Sequence, residues 1–376
     1  MIIAMYTRSG YPSSNVKKYE TDYSQTNINT LILSGPNGYN GGIVYNDSPY
    51  EMFNAQGSYV GDSTWASTLI EFASSKNITN IYFSLSNSAI SALANMTPNG
   101  LESVMNWLKH NKISGIDMDC EYWGQPGGLK PTSPDVETVT LAAIAAGLKL
   151  TAAPYNLMDE WKQWCQYVSS KSGNVEWLNL QCYVGGYGNN PVEWAEQFPN
   201  IPIVPGIEPI NSSTDTGQYT PQEALTLFTN WHHDAISKSL TLGGGFLWYF
   251  GFFLSLKNYT ITDYTEAIIK ANTVTMANIV TEANTVITST KVTIKANTSF
   301  YGNFPVTGGN LLSVGFQNMG FRTKIYPTQL MIDSATNVFF QIDNLNSDAV
   351  DIYIWGIADN PNAKFGSISS SGTIPM

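Results

Sequence analysis

The sequence predicts an α/β protein: a (β/α)8 TIM barrel followed by a small all-β, sandwich-like domain. Eight short apolar runs rich in β-branched or aromatic residues alternate with segments of helical periodicity over about 270 residues. Such alternation predicts parallel strands joined by helices, and eight strands suit a closed barrel better than an open sheet. Beyond residue 272, alternating strands and turn-rich stretches such as PVTGGN and ADNPN are typical of an antiparallel module. We therefore expect a barrel domain at 1–272 and a β-rich binding or assembly domain at 273–376.

The predicted elements follow from these patterns. The eight barrel strands are expected at 2–6, 30–34, 81–85, 115–121, 148–154, 177–183, 201–207 and 244–250. Helices are expected in the gaps, at 62–75, 98–110, 135–147, 159–170, 192–198, 221–238 and 262–272. One helix start is explicit, because Thr220 can cap, Pro221 suits the first helical position and Glu223 completes a capping box. In the C-terminal domain, the runs VTIKANTSF, LLSVGF, NVFFQIDNL and AVDIYIWGIA predict strands.

Composition and charge limit the partners. Only 12% of the 376 residues are charged, against roughly 25% in an average soluble domain, and the net charge is −11. The electric field of this net negative charge does not attract nucleic acid or anionic membrane surfaces, so a neutral glycan is the expected partner. No apolar run reaches the ~18 residues of a membrane span. A charge-poor surface favours an extracellular or virion-associated protein. Because no signal peptide is visible, such a protein would leave the cell after its leader is trimmed, by unconventional export or by lysis.

The stretch KISGIDMDCEYWG carries three acids at every second position, namely Asp117, Asp119 and Glu121. In a strand these side chains share one face, while Met118 and Cys120 point the other way. In a barrel the acids would project inward at the carboxyl-terminal mouth. Burying three carboxylates for stability alone is costly. Like charges in a partly buried site instead keep one carboxyl protonated near neutral pH, as a general acid requires.

Other readings of the acidic strand are weaker. A calcium loop starting at Asp117 needs Gly at its sixth position and Glu at its twelfth, where Tyr122 and Gly128 stand. A solvated edge strand conflicts with the flanking apolar residues Ile113 and Ile116.

Metal and disulfide chemistry also find little support elsewhere in the chain. A zinc site lacks nearby ligands, since the histidines lie on predicted helices: His110, His232 and His233. The cysteines are too few, and odd in number, for a disulfide framework and are expected to be buried thiols: Cys120, Cys165 and Cys182. We expect neither a metal nor a cofactor.

SGIDMDCE resembles the D-G-x-D-x-D-x-E signature on strand four of glycoside hydrolase family 18, which includes chitinases and endo-β-N-acetylglucosaminidases. LQCY at 180–183 is similar to the family's Q-x-Y, and Trp248 stands where the family has its strand-eight tryptophan. The resemblance covers roughly residues 1–270. It implies a glycosidase that cleaves β-1,4 linkages beside N-acetylglucosamine, in chitin-like polymers or N-glycan cores.

The resemblance also implies roles for individual residues. Glu121 would be the general acid, and Asp119 would orient the substrate's N-acetyl group, whose carbonyl oxygen attacks the anomeric carbon in a substrate-assisted retaining reaction. Asp117 would share a proton or hydrogen bond with Asp119, and Tyr183 would hydrogen-bond the acetyl oxygen. The expected substrate contacts are Gln181, Trp248, Tyr6, Tyr122, Trp123 and Tyr155. EYW after the motif is closer to endo-β-N-acetylglucosaminidases than to most chitinases.

Two departures from the family pattern bear on activity. Ser114 replaces the first Asp of the motif, which puts the electrostatic support of Asp117 in doubt and could weaken or silence the site. Ser86 and Asn87 replace the glycines of an S-x-G-G pattern on strand three, where their side chains could narrow the cleft.

Two alternatives therefore stay open. One is a non-catalytic, lectin-like glycan-binding protein on the same fold, although lectin-like relatives usually lose the acid that Glu121 retains. The other is a structural or attachment protein on a virion or cell surface, in which the C-terminal β domain anchors the barrel or makes oligomer contacts.

Overall fold

The computed structural model describes residues 1–23, 26–46, 51–122, 124, 127–210 and 218–273, together with the backbone of the strands between 286 and 375. The chain divides into two compact units, Met1–Val274 and Thr275–Met376.

The first unit is built on a barrel of parallel strands, beside which three further strands form a small antiparallel sheet. Its strands are β1 (Ile2–Thr7), β2 (Thr30–Leu33), β3 (Pro36–Tyr39), β4 (Gly42–Tyr45), β5 (Glu51–Phe53), β6 (Asn80–Ser86), β7 (Gly115–Asp119), β8 (Lys149–Ala152), β9 (Val175–Gln181), β10 (Ile203–Pro209), β11 (Gln218–Tyr219) and β12 (Gly244–Leu247). Eight of them pair in the order β1-β2-β6-β7-β8-β9-β10-β12, and β12 pairs back with β1 to close the barrel. All eight predicted strand runs are confirmed as barrel strands.

Helices cover the outside of the barrel. They are α1 (Ser13–Lys18), α2 (Trp65–Ser75), α3 (Asn87–Ala94), α4 (Pro98–His110), α5 (Pro134–Ala145), α6 (Met158–Ser170), α7 (Pro191–Gln197), α8 (Pro221–Ser237), α9 (Phe250–Phe253) and α10 (Ile261–Asn272). The seven predicted helices are present, and the capping box of Thr220 and Glu223 is confirmed at the start of α8. The sequence did not predict the short helices α1, α3 and α9 or the hairpin strands β3 to β5. No helix in the described part of the chain is long and apolar enough to cross a membrane.

Strand alternation separates two apolar layers. Outward-facing residues such as Ile116 and Met118 are buried in the large cluster between the strands and the helices. Inward-facing residues form a second, smaller cluster inside the barrel, in which aromatic rings such as Tyr6, Trp177 and Phe246 predominate. Because side chains on one strand alternate between these layers, polar groups that share the inner face are brought together inside the barrel.

The second unit consists of antiparallel strands. They are β13 (Val286–Ile294), β14 (Thr298–Thr307), β15 (Leu311–Asn318), β16 (Ile325–Ser334), β17 (Asn337–Asn344), β18 (Val350–Ala358), β19 (Lys364–Phe365) and β20 (Ser369–Pro375). One sheet has the order β13-β18-β15, and the other has the order β16-β17-β14-β19 with β20 also paired to β14. The predicted all-β character of this region is therefore confirmed. The predicted run VTIKANTSF is divided between β13 and β14, which are separated by residues 295–297.

Candidate functional site

A cavity opens at the carboxyl-terminal ends of the barrel strands. Its volume is about 170 Å³, smaller than the range of about 300–1,000 Å³ that is usual for pockets that hold drug-sized ligands. The lining residues come from six barrel strands or follow them directly: Tyr6, Asp119, Glu121, Ala153, Gln181, Tyr183, Val184, Glu208 and Trp248. Six predicted site residues therefore meet in one cavity.

Asp117 lies beneath this cavity, inside the barrel, and is fully buried. Its Oδ2 accepts hydrogen bonds from the hydroxyls of Tyr6 (3.0 Å) and Ser84 (2.9 Å). Its Oδ1 accepts from the Thr151 hydroxyl (2.7 Å) and from Asn179 Nδ2 (3.1 Å). Burial raises the pKa of Asp117, and these hydrogen bonds oppose the rise. Its complete burial excludes the solvated edge strand.

Asp119 and Glu121 face the cavity itself, and both are half-buried. Burial, followed by the negative charges of Glu121 and Asp117, raises the pKa of Asp119 well above its usual range, while Arg8 lowers it. Burial also raises the pKa of Glu121, and the amide of Gln181 opposes that rise. Two interacting carboxyls of this kind titrate as a pair and retain a proton at higher pH than an isolated carboxyl.

Gln181 lies between these two acids. Its Nε2 donates a 2.8 Å hydrogen bond to the carbonyl of Ala153 and lies 3.5 Å from both Asp119 Oδ1 and Glu121 Oε1. The short bond to the backbone fixes the amide, and the longer contacts keep its positive end directed at both carboxylates. No hydrogen bond joins Asp117 to Asp119 in the described part of the chain, because the Asp117 oxygens are occupied by the four other donors. The two acids interact through their charges instead.

Aromatic rings form one wall of the cavity. The rings of Tyr183 and Trp248 are stacked, with centroids 6.0 Å apart and an interplanar angle of 15°. The ring of Tyr6 lies 5.2 Å from that of Trp248. Burial, then the charge of Asp119, raises the pKa of Tyr183 well above its usual range. Tyr183 is therefore a protonated phenol at neutral pH and can donate a hydrogen bond into the cavity.

Among the described residues, two predicted substrate contacts, Tyr122 and Tyr155, do not line this cavity. The Tyr155 hydroxyl donates a 3.0 Å hydrogen bond to the backbone carbonyl of Tyr122, and the Lys130 ammonium lies 5.3 Å from the centre of the Tyr122 ring. Both tyrosines are half-buried in the loops beside the cavity. Trp123 lies outside the described residues.

The departures from the family pattern have local explanations. Ser114 precedes β7 at the opposite end of the strand from the acids, and its Oγ accepts a 3.0 Å hydrogen bond from the backbone N–H of Ile81. It links two strands, while the support of Asp117 comes from other residues. The Ser86 hydroxyl caps α3, and the Asn87 side chain bonds the backbone of Glu121. Neither Ser86 nor Asn87 lines the cavity, so the expected narrowing is not observed.

Three residues of the cavity wall were not predicted from the sequence: Ala153, Val184 and Glu208. Glu208, only 3% exposed, stands near the carboxyl end of β10, and its charge adds to the rise in the pKa of Tyr183. An acid directly after the apolar run IPIVPGI was a readable signal. Val184 is 53% exposed and has φ of +44°, a left-handed conformation that β-branched residues rarely adopt. Nothing in the sequence signals that conformation.

The described residues contain no group of three or more His, Cys, Asp or Glu side chains that could hold a metal ion. The three cysteines are free and buried, as predicted: Cys120, Cys165 and Cys182. Burial raises the pKa of the Cys182 thiol, so it remains a neutral packing group.

No protein-family model matches the chain, and no curated protein matches it. Among solved structures it is similar to a chitinase from Bacteroides thetaiotaomicron, with 12% identity over 73% of this chain and 98% of that chain and a TM-score of 0.47. An endo-β-1,3-glucanase of glycoside hydrolase family 128 from Amycolatopsis mediterranei shows 9% identity over 72% and 100%, with a TM-score of 0.38. A family 27 β-L-arabinopyranosidase from Geobacillus stearothermophilus shows 9% identity over 94% and 95%, with a TM-score of 0.40. At such low identities and scores, the function has to be argued from the cavity itself.

Proposed function

We propose that the barrel is a glycoside hydrolase that cleaves β-1,4 linkages beside N-acetylglucosamine, in a chitin-like polymer or an N-glycan core. The observation that carries this proposal is that Asp119 and Glu121, both with raised pKa values, face one cavity. A carboxyl that keeps its proton near neutral pH can act as the general acid for a leaving sugar oxygen. The stacked rings of Tyr183 and Trp248 supply an apolar surface suited to the face of a sugar ring.

In the proposed first step, Glu121 donates its proton to the glycosidic oxygen as the bond between that oxygen and the anomeric carbon breaks. The carbonyl oxygen of the substrate's own N-acetyl group forms the new bond to the anomeric carbon and gives a cyclic oxazolinium ion. Asp119 accepts a hydrogen bond from the acetamido N–H, and the Tyr183 hydroxyl donates one to the acetyl oxygen. The protein therefore orients the nucleophile that the substrate supplies.

In the second step, water attacks the anomeric carbon from the face that the leaving group vacated. The Glu121 carboxylate takes a proton from this water, and the oxazolinium ring reopens to the N-acetyl sugar. The product keeps the β configuration, and Glu121 is protonated again for the next cycle. Because the acetamido group is the nucleophile, this route requires a substrate that carries it.

The test is hydrolysis of chitooligosaccharides and of an N-glycosylated protein, read by mass spectrometry. The wild type should cleave at least one of these substrates. The rate of cleavage by Glu121→Gln should be lower by about 100-fold or more, as expected for removal of a general acid. Glu71→Gln, on the exposed face of α2, is the matched control and should retain activity.

Two outcomes would contradict parts of the proposal. Equal cleavage of oligosaccharides without the acetamido group would exclude the substrate-assisted route while keeping a glycosidase. Glycan binding without cleavage by the wild type would favour the lectin-like alternative.

A further inference from the structure

Glu121 is not held by the barrel sheet. Strand β7 ends at Asp119, two residues earlier, so the regular strand pairing stops before the proposed acid. On the β8 side, the Ala153 N–H donates a 2.9 Å hydrogen bond to the Met118 carbonyl, and on the β6 side the strand register ends with Ser86 opposite Asp119. Beyond that point the backbone needs another partner to keep a carboxyl directed into the cavity.

The side-chain amide of Asn87 supplies that partner. Its Oδ1 accepts a 2.9 Å hydrogen bond from the Glu121 N–H, and its Nδ2 donates a 2.7 Å hydrogen bond to the Glu121 carbonyl. A carboxamide has the same donor and acceptor groups as a peptide unit, so Asn87 replaces the missing strand neighbour. The Leu129 N–H also donates to the Glu121 carbonyl, at 3.1 Å.

Asn87 is itself fixed. It is the first residue of α3, is 9% exposed, and follows Ser86, whose hydroxyl caps the helix by accepting from the Ala89 N–H. The same hydroxyl bonds Asn37 Oδ1 at 2.9 Å, which ties the helix start to β3. The amide that holds Glu121 therefore stands on a helix terminus that is anchored on two sides.

We propose that Asn87 is a positioning residue, which directs the Glu121 carboxyl into the cavity by bonding both backbone polar groups of that residue. Its effect on turnover rests on the proposed function, whereas its effect on the Glu121 carboxyl does not. Asn87 does not line the cavity, so its removal should not take away a contact with the sugar.

The kinetic test compares Asn87→Ala with a matched control at the other end of the barrel. Asn29 also bonds the backbone through both ends of its amide, although to two different residues: its Oδ1 accepts from the Ile3 N–H (3.0 Å), and its Nδ2 donates to the Met1 carbonyl (2.9 Å). We expect kcat of Asn87→Ala to fall about 10- to 100-fold with KM little changed, because a small displacement of the acid is enough for such losses. Asn29→Ala should keep both constants while losing a similar amount of thermal stability. Equal kcat values for the two variants would overturn the proposal.

A second readout does not depend on turnover. In protein labelled with ¹³C at the glutamate carboxyls, the Glu121 signal is assigned by its loss in Glu121→Gln and is titrated in each variant. The pKa of Glu121 should fall in Asn87→Ala towards the ordinary value of about 4.3, because a released backbone lets the carboxyl leave its buried position. An unchanged pKa would overturn the proposal even if the wild type hydrolyses no glycan.

Asn87→Asp serves if the alanine variant does not fold. An acid in the first turn of α3 suits the helix dipole, and one carboxylate oxygen can still accept from the Glu121 N–H. The Nδ2 donor of residue 87 to the Glu121 carbonyl is lost, which leaves that carbonyl only the longer bond from the Leu129 N–H, so kcat should again fall while KM is kept. A wild-type kcat in this variant would show that the second bond is dispensable and would contradict the two-bond arrangement.

Discussion

Replacement of Asp117 by alanine removes the acceptor of four hydrogen bonds inside the barrel. A buried donor left without a partner costs about 1–3 kcal/mol. The three hydroxyl donors can rotate towards new partners, but Asn179 cannot turn its amide, because its Oδ1 accepts a 2.9 Å hydrogen bond from Trp177 Nε1. We therefore use the low end, about 1 kcal/mol for each of the four donors, and expect Asp117→Ala to destabilise the barrel by about 4 kcal/mol.

Two matched variants test whether the destabilisation of Asp117→Ala comes from the lost hydrogen bonds. Ser84→Ala removes one donor and leaves the Asp117 carboxylate with three, so it should cost only about 1 kcal/mol. Asp117→Asn can turn its Nδ2 towards Tyr6 and Ser84, whose hydroxyl oxygens can accept, while its Oδ1 keeps Thr151 and Asn179. It should therefore be more stable than Asp117→Ala.

The assay is urea unfolding followed by tryptophan fluorescence, with the free energy of unfolding and the m-value compared across the three variants. An Asp117→Ala protein within about 1 kcal/mol of the wild type, or no less stable than Ser84→Ala, would refute the hydrogen-bond reasoning.

Two further outcomes are expected. Val184→Gly should preserve or raise the melting temperature, because glycine relieves a left-handed conformation that costs valine about 1–2 kcal/mol. The same variant should raise KM for the glycan, since Val184 lines the cavity. A lower melting temperature with an unchanged KM would contradict this prediction. Burial lowers the pKa of His232 to about 4. Between about pH 6.5 and 4, the unfolded chain therefore binds more protons at this residue than the folded chain does. The free energy of unfolding should decline as pH falls through that window, by up to about 3 kcal/mol. Thermal unfolding measured against pH should show a shallower decline in His232→Gln, and a decline as steep as that of the wild type would contradict this assignment.

The inward placement of the acids could be read from the sequence because strand alternation is local. Asp117 and Asp119 face the inside of the barrel, and Met118 and Cys120 lie in the outer apolar layer, as the two-residue period predicts. The same local logic placed all eight barrel strands. It does not apply where the strand ends: the bonds that hold Glu121 come from a residue 34 positions earlier, and a pattern of neighbours cannot show that pairing.

The positions of site residues in loops could not be predicted from the sequence, because strand alternation does not extend into loops. Tyr122 and Tyr155 follow strand ends, as Tyr183 does, but only Tyr183 lines the cavity. A residue in a loop has no fixed period that assigns its side to a face, so proximity to a strand end did not separate the three. Ser114 shows the converse, because its position at the far end of its strand decides its role. The resemblance to the family motif alone predicts instead that Ser114 leaves the support of Asp117 in doubt.

The partners of Asp117 connect stability to the proposed chemistry. They come from β1, β6, β8 and β9, and the barrel register places Ser84 and Thr151 directly beside Asp117 on the two adjoining strands. All four are neutral donors, so they stabilise the carboxylate without cancelling its charge. That charge then contributes to the raised pKa of Asp119. A lysine or arginine at any of these positions would also hold Asp117 but would lower the pKa of Asp119, and the proton that general-acid cleavage needs would be lost at lower pH. Neutral hydroxyls and an amide beneath the acids thus serve both the fold and the protonated pair.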